Sequence, residues 1–190
     1  CNVRPDRIIS APDVESIYDV PINLEKDNIG DSLLDALKLD KSTPADLSEW
    51  SGFVDRVKSA TKKVKIGIVG KYFDTGDFVL SDAYLSVIEA LKFSAAEVGV
   101  KAEIEWLNAK KFENGEDVES LSEYDGIIVP GGFGQTGIEG KIQAIKYCRV
   151  NKIPYFGLCY GMQLMVIEYA RSVLGLAGAN TAEIDPNAEH

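Results

Sequence analysis

At 190 residues, 45% of them hydrophobic and 26% charged, the chain can bury a real core, which excludes wholesale disorder. Its 20 Lys+Arg against 30 Asp+Glu give a formal net charge of −10, which argues against a surface for nucleic acid or anionic lipid, because phosphate binding needs clustered cations. No apolar run approaches the roughly 20 residues of a membrane span, and three scattered cysteines, Cys1, Cys148 and Cys159, suit a reducing cytoplasm better than a disulfide framework.

The opening Cys1-Asn2-Val3-Arg4-Pro5 carries neither a secretory leader nor an initiator Met, so the chain is expected to begin inside a longer protein. Residues 1–40 alternate short apolar runs with Pro and Asp, as loops and short strands do. Within them Asp31 is placed to cap a short helix with Leu33, Leu34 and Leu37 on its apolar face. Thr43-Pro44 reads as a second helix start, followed by Leu47, Trp50, Val54 and Val57 at helical spacing, and then by a lysine-rich stretch that reads as a solvated linker.

From residue 64 strands and helices alternate. Val64–Val69, Ala102–Leu107, Tyr124–Val129 and Ile153–Leu158 are the strand candidates. Helical stripes run through Tyr84, Val87, Ile88, Leu91, Ala95 and Val98, through Ile138, Ile142, Ile145 and Cys148, and through Met162, Met165, Val166, Tyr169 and Val173. Such alternation predicts an α/β fold, a parallel flavodoxin-like sheet with helices on both faces. Ligands in such sheets bind beyond the carboxyl ends of the strands. That directs attention to Gly70, Pro130–Gly134 and Cys159.

Gly157-Leu158-Cys159-Tyr160-Gly161-Met162-Gln163 carries the strongest chemical signal. A buried strand feeds straight into a helix with a cysteine at the junction and a glycine two residues to each side, the pattern of a nucleophile elbow. A thiol at a helix N-terminus gains thiolate character, and the thiolate is the nucleophile. Cys148, inside an apolar helical stripe, reads as a core residue. The diglycine loop Pro130-Gly131-Gly132-Phe133-Gly134 could offer one backbone N–H, and the residue after Cys159 another, to an oxyanion. The one histidine, His190, is the last residue and a poor candidate for a fixed general base, and with no Cys-x-x-Cys pair there is no zinc site. These residues alone fit several proteins: a glutamine amidotransferase of one kind or another, a different Cys-elbow hydrolase, or a non-catalytic flavodoxin-like module.

Taken together and in order, Gly70-Lys71-Tyr72, Ser81-Asp82-Ala83-Tyr84, the Pro130–Gly134 loop with Glu139-Gly140-Lys141, the Cys159 elbow and Ala179-Asn180-Thr181-Ala182-Glu183 resemble the CTP synthase family, in the front part of its class I glutamine amidotransferase domain. The resemblance covers the whole chain. It implies that residues 1–40 are the end of an ATP-dependent amidoligase domain, 41–63 an interdomain linker, and 64–190 a glutamine amidotransferase domain. It further implies glutamine hydrolysis that supplies ammonia for the ATP-dependent amination of UTP to CTP, with Mg²⁺ accompanying the nucleotides, GTP as activator, and a homotetramer at full length. Site residues follow by the same route. Cys159 is the nucleophile, and the backbones of Gly132 and Tyr160 form the oxyanion hole. Gly132, Gln163 and Glu183 hold glutamine, Lys71 is a GTP candidate, and Asn2 and Val3 are ATP candidates. No metal ligand is implied within the chain. The family's catalytic His and Glu stand in a His-Pro-Glu motif that has no counterpart in residues 1–190. Thr136 replaces a common Arg in the GTP-sensitive lid, and Ala182 replaces a usual Thr.

Overall fold

The computed structural model describes residues 3–41, 43–70, 84–132 and 137–190. The chain divides into two compact units, Cys1–Ala60 and Thr61–His190.

The first unit holds helices α1 (Val20–Lys26), α2 (Ile29–Leu37) and α3 (Ser48–Ser59). Loops and short strands were expected over residues 1–40, but α1 forms there, with Pro21 in its first turn, where a missing N–H removes no intrahelical bond. Asn28 turns the chain in the left-handed region (φ 55°), so α2 starts at Ile29 rather than after a cap at Asp31. Likewise α3 starts at Ser48, not at Thr43-Pro44. Asp46 Oδ1 accepts the Ser48 N–H at 2.9 Å and satisfies one of the helix's orphan donors. That bond holds the Asp46 carboxyl below its ordinary pKa. The core of this unit is aromatic. Tyr18 meets Phe53 edge-on with ring centroids 5.1 Å apart, and Trp50 Nε1 donates to the Tyr18 carbonyl at 2.8 Å.

The second unit is a parallel sheet with its helices. Strands β1 (Lys63–Gly70), β2 (Lys101–Asn108), β3 (Gly126–Val129) and β4 (Tyr155–Gly157) lie in the order β2-β1-β3-β4. The crossovers contain α4 (Leu85–Glu97) and α5 (Ile138–Asn151), and α6 (Tyr160–Ser172) follows β4. Successive strand residues point to opposite faces. Ile68 and Val69 on β1 are both fully buried, and so in effect are Ile127, Ile128 and Val129 on β3, so both faces of the central strands are covered. Val69, Ile127 and Val129 pack with Ile138, Ile142, Ile145 and Cys148 of α5 and with Leu164 and Ile167 of α6. Gly70 pairs with Asn108, and Val129 with Gly157, so the strands end level and their carboxyl-end loops share one edge of the sheet.

The α5 stripe is buried as expected. The α6 stripe is not: Met162, Met165, Val166, Tyr169 and Val173 are exposed, while Tyr160, Leu164, Ile167 and Glu168 face the core. The helix is apolar on nearly all sides, so periodicity alone cannot tell its inner face from its outer one. On α4 the expected stripe is only partly buried, Tyr84 and Ala95 lying inside and Val98 outside.

Candidate active site

Cys159 is exposed and occupies the junction between β4 and α6 with φ 52° and ψ −108°, a conformation an L-residue adopts only under constraint. Its glycine neighbours supply the constraint. A β-carbon on Gly161 would stand 2.0 Å from the Val129 carbonyl oxygen. One on Gly157 would stand 2.6 Å from Gly161 C and Met162 N. Helix and strand therefore approach closely enough that only glycine fits at either position, and the side chain between them is turned outward.

Local hydrogen bonding leaves the Tyr160 N–H open beside the sulfur. Gly161 N–H donates to the Leu158 carbonyl (2.9 Å), and Met162 and Gln163 N–H donate to the Cys159 carbonyl (3.1 and 3.2 Å). Among the described residues the Tyr160 N–H, first of the helix, has no acceptor. The diglycine loop abuts the same point, since a β-carbon on Gly131 would lie 3.6 Å from Cys159 Sγ. Gly132, next along, takes φ 152°, open to glycine and rare for other residues.

The Ala179–Ile184 segment meets the first turn of α6 at Gln163. Thr181 Oγ1 donates to Gln163 Oε1 at 3.4 Å, and the Glu183 N–H donates to Thr181 Oγ1 at the same distance. Burial first, then the negative charges of Glu183 and Glu139, push the Tyr160 phenol above its ordinary pKa. Its hydroxyl is buried without a hydrogen-bond partner among the described residues. Lys141 Nζ stands 6.0 Å from the Tyr160 ring centroid, a long cation–π distance. A cleft of about 470 Å³ lies between Glu113, Asn114, Ile138, Glu139, Asn180 and Ile184, next to the site but not lined by Cys159.

An exposed cysteine on a constrained turn, a free helix-terminal amide and a glycine loop against the sulfur suit attack on an acyl carbon. A glutamine amidotransferase class-I family model matches residues 79–188. The chain belongs to the class I glutamine amidotransferase family. Along its full 190 residues this amidotransferase chain is 46% identical to CTP synthase of Listeria innocua, covering 35% of that protein. It is 50% identical to CTP synthase of Streptococcus pneumoniae, covering 34%. It thus spans about a third of the length of the curated relatives it matches. A solved glutaminase domain of Trypanosoma brucei CTPS with bound acivicin superposes with a TM-score of 0.60 at 36% identity, over 67% of this chain and 48% of that one.

Of the residues singled out from sequence, Cys159, Tyr160, Gln163 and Glu183 gather with the diglycine loop at this edge of the amidotransferase sheet. Val3 is exposed in the other unit. Lys71, Asn2 and Thr136 lie outside the described residues. Cys148 is fully buried and its thiol is pushed up to about 12 by desolvation, in keeping with a core role. Three residues without an assigned role connect to this edge: Thr181 bonds Gln163, and Arg171, at the far end of α6, bonds Glu139. All are polar side chains at positions where solvent exposure is the ordinary reading, and only the fold places them together. Among the described residues there is no group of three or more His, Cys, Asp or Glu placed to hold a metal ion.

Proposed function

We propose that this chain is the glutaminase portion of a CTP synthase, with residues 1–40 the end of an amidoligase domain, 41–63 a linker and 64–190 the amidotransferase domain. The observation that carries this reading is the exposed, conformationally constrained Cys159 in a chain 46–50% identical to CTP synthases along its whole length.

Cys159 Sγ attacks the carboxamide carbon of glutamine. A C–S bond forms and the carbonyl oxygen becomes an oxyanion, held by the backbone N–H groups of Tyr160 and Gly132. Collapse breaks the C–N bond, the nitrogen leaves protonated as ammonia, and water hydrolyses the thioester to glutamate. Gln163 and Glu183 grip the α-amino acid end of glutamine, where a carboxylate suits the ammonium group. No base is assigned within residues 1–190, since the one histidine is His190, whose carbonyl accepts the Asn180 N–H. The family's His-Pro-Glu motif would supply it. In the synthase reaction ATP phosphorylates the C4 oxygen of UTP and ammonia displaces that phosphate, giving CTP, ADP and inorganic phosphate. Mg²⁺ accompanies the nucleotides in the amidoligase domain, GTP activates the glutaminase step with Lys71 as a candidate contact, and the full-length assembly is a homotetramer.

The test uses the full-length protein. Cys159→Ala is expected to abolish glutamine-dependent CTP formation and to leave ammonia-dependent formation intact. A glutamine-like electrophile is expected to label Cys159 in competition with glutamine. An alanine variant that uses glutamine at the normal rate would remove the nucleophile assignment.

A further inference from the structure

Arg171 is the last basic residue of α6, the helix that begins beside Cys159. At 1.5 Å per residue its Cα lies about 16 Å along the axis from that of Tyr160. Its guanidinium bonds two partners in two directions. Nε donates to the Ala179 carbonyl at 2.7 Å, and Nη1 donates to Glu139 at 3.0 and 3.3 Å. Glu139 stands in the first turn of α5, just beyond the diglycine loop. Ala179 is buried and opens the segment in which Thr181 meets Gln163 and Ile184 packs on the core. One rigid planar fork therefore ties together the start of α5, the end of α6 and the strap that carries Glu183.

We propose that Arg171 is a positioning residue for glutamine recognition: it holds the 179–184 segment and the start of α5 against α6, so that Glu183 and Gln163 stand at a fixed distance from Cys159. The proposal rests on the function assigned above. An exposed Arg–Glu pair adds little to stability, so the bond to the Ala179 carbonyl is the one that sets the strap. Lysine keeps the charge but has no planar fork with which to hold both partners in fixed directions.

Full-length Arg171→Ala, Arg171→Lys and Glu139→Gln are compared with glutamine and with ammonia as nitrogen source. Arg171→Ala is expected to raise the glutamine KM about tenfold while kcat changes less than about twofold, the signature of lost binding that substrate and transition state share. Arg171→Lys is expected to raise it about threefold and Glu139→Gln about twofold, with ammonia-dependent kinetics unchanged in all three. Should Arg171→Ala fail to fold, the two conservative variants carry the test. An unchanged glutamine KM in the variants that fold, or an equal loss with both nitrogen sources, would overturn the positioning role. Cys159→Ala separates the two levels: if it is inert with glutamine while the Arg171 and Glu139 variants keep a normal KM, only this inference falls, and if it still uses glutamine, the function falls with it.

Discussion

A single methyl group at Gly161 would do more harm than the loss of most side chains here. Its β-carbon would stand 2.0 Å from a backbone oxygen of β3, an obstacle that no rotamer change removes. Gly161→Ala is therefore expected to cost about 1–3 kcal/mol of stability. It should also disturb the elbow, so that glutamine-dependent turnover falls while ammonia-dependent turnover survives, as read by thermal melting and assays with both nitrogen sources. The two described cysteines make an opposite pair. Cys148 is fully buried and its thiol is pushed up to about 12, so it stays neutral until pH approaches that value, whereas Cys159 faces solvent. Iodoacetamide on the native protein at about pH 8 should alkylate Cys159 and spare Cys148, with both reacting in denaturant, as peptide mass spectrometry would show. Rapid native labelling of Cys148 would contradict the burial. This contrast was legible in the sequence, because glycines at fixed offsets around a strand–helix junction say which cysteine is presented. The partners of Arg171 were not legible, because a surface arginine has no sequence signature for the carbonyl it finds.

At the scale of elements, helix propensity and tertiary sterics can be set against each other. Glycine to alanine inside a helix ordinarily gains up to about 1 kcal/mol. Gly52 in α3 has the room, with only the end of the Arg56 side chain 3.7 Å away, and Gly52→Ala is expected to follow that rule. Gly140 in α5 has none: its β-carbon would stand 1.8 Å from the Ala109 carbonyl oxygen, on the 3-10 turn Ala109–Phe112 packed against the helix. Gly140→Ala should reverse the sign and cost about 1–3 kcal/mol. Denaturant titration of the two variants decides it, and two shifts of the same sign would refute the argument. The elements themselves were legible where one period dominated. The strands β1 and β2 and the helix α5 lie within a few residues of their sequence positions, because each has a clean apolar run or stripe. The start of α3 was misread because Thr43-Pro44 is a good start signal, whereas the helix starts where the Asp46 carboxylate accepts the Ser48 N–H, and α1 because its proline suggested a loop.

At the scale of the whole molecule, the face of α6 that sequence periodicity assigned to the core is the one left in solvent. The edge strand β4 exposes Phe156, and α6 exposes Met165, Val166, Tyr169 and Val173, with Leu174 just beyond. Beneath them runs a groove of about 440 Å³ lined largely by apolar residues, and in its wall Glu168, fully buried, takes two 2.8 Å bonds from Arg149. The ion pair is satisfied, so the charge does not protect the surface around it. A contiguous apolar patch beside a strand edge is an association hazard. The formal charge of −10 opposes association across the whole surface but is screened beyond about 8 Å at physiological salt, whereas apolar contact is not. The 190-residue chain by itself is thus expected to self-associate more as salt rises, as light scattering over a concentration series would register. Val166→Lys and Tyr169→Lys, both at exposed sites, should suppress association without lowering the melting temperature. Association that weakens with added salt would instead point to charge pairing and away from this face.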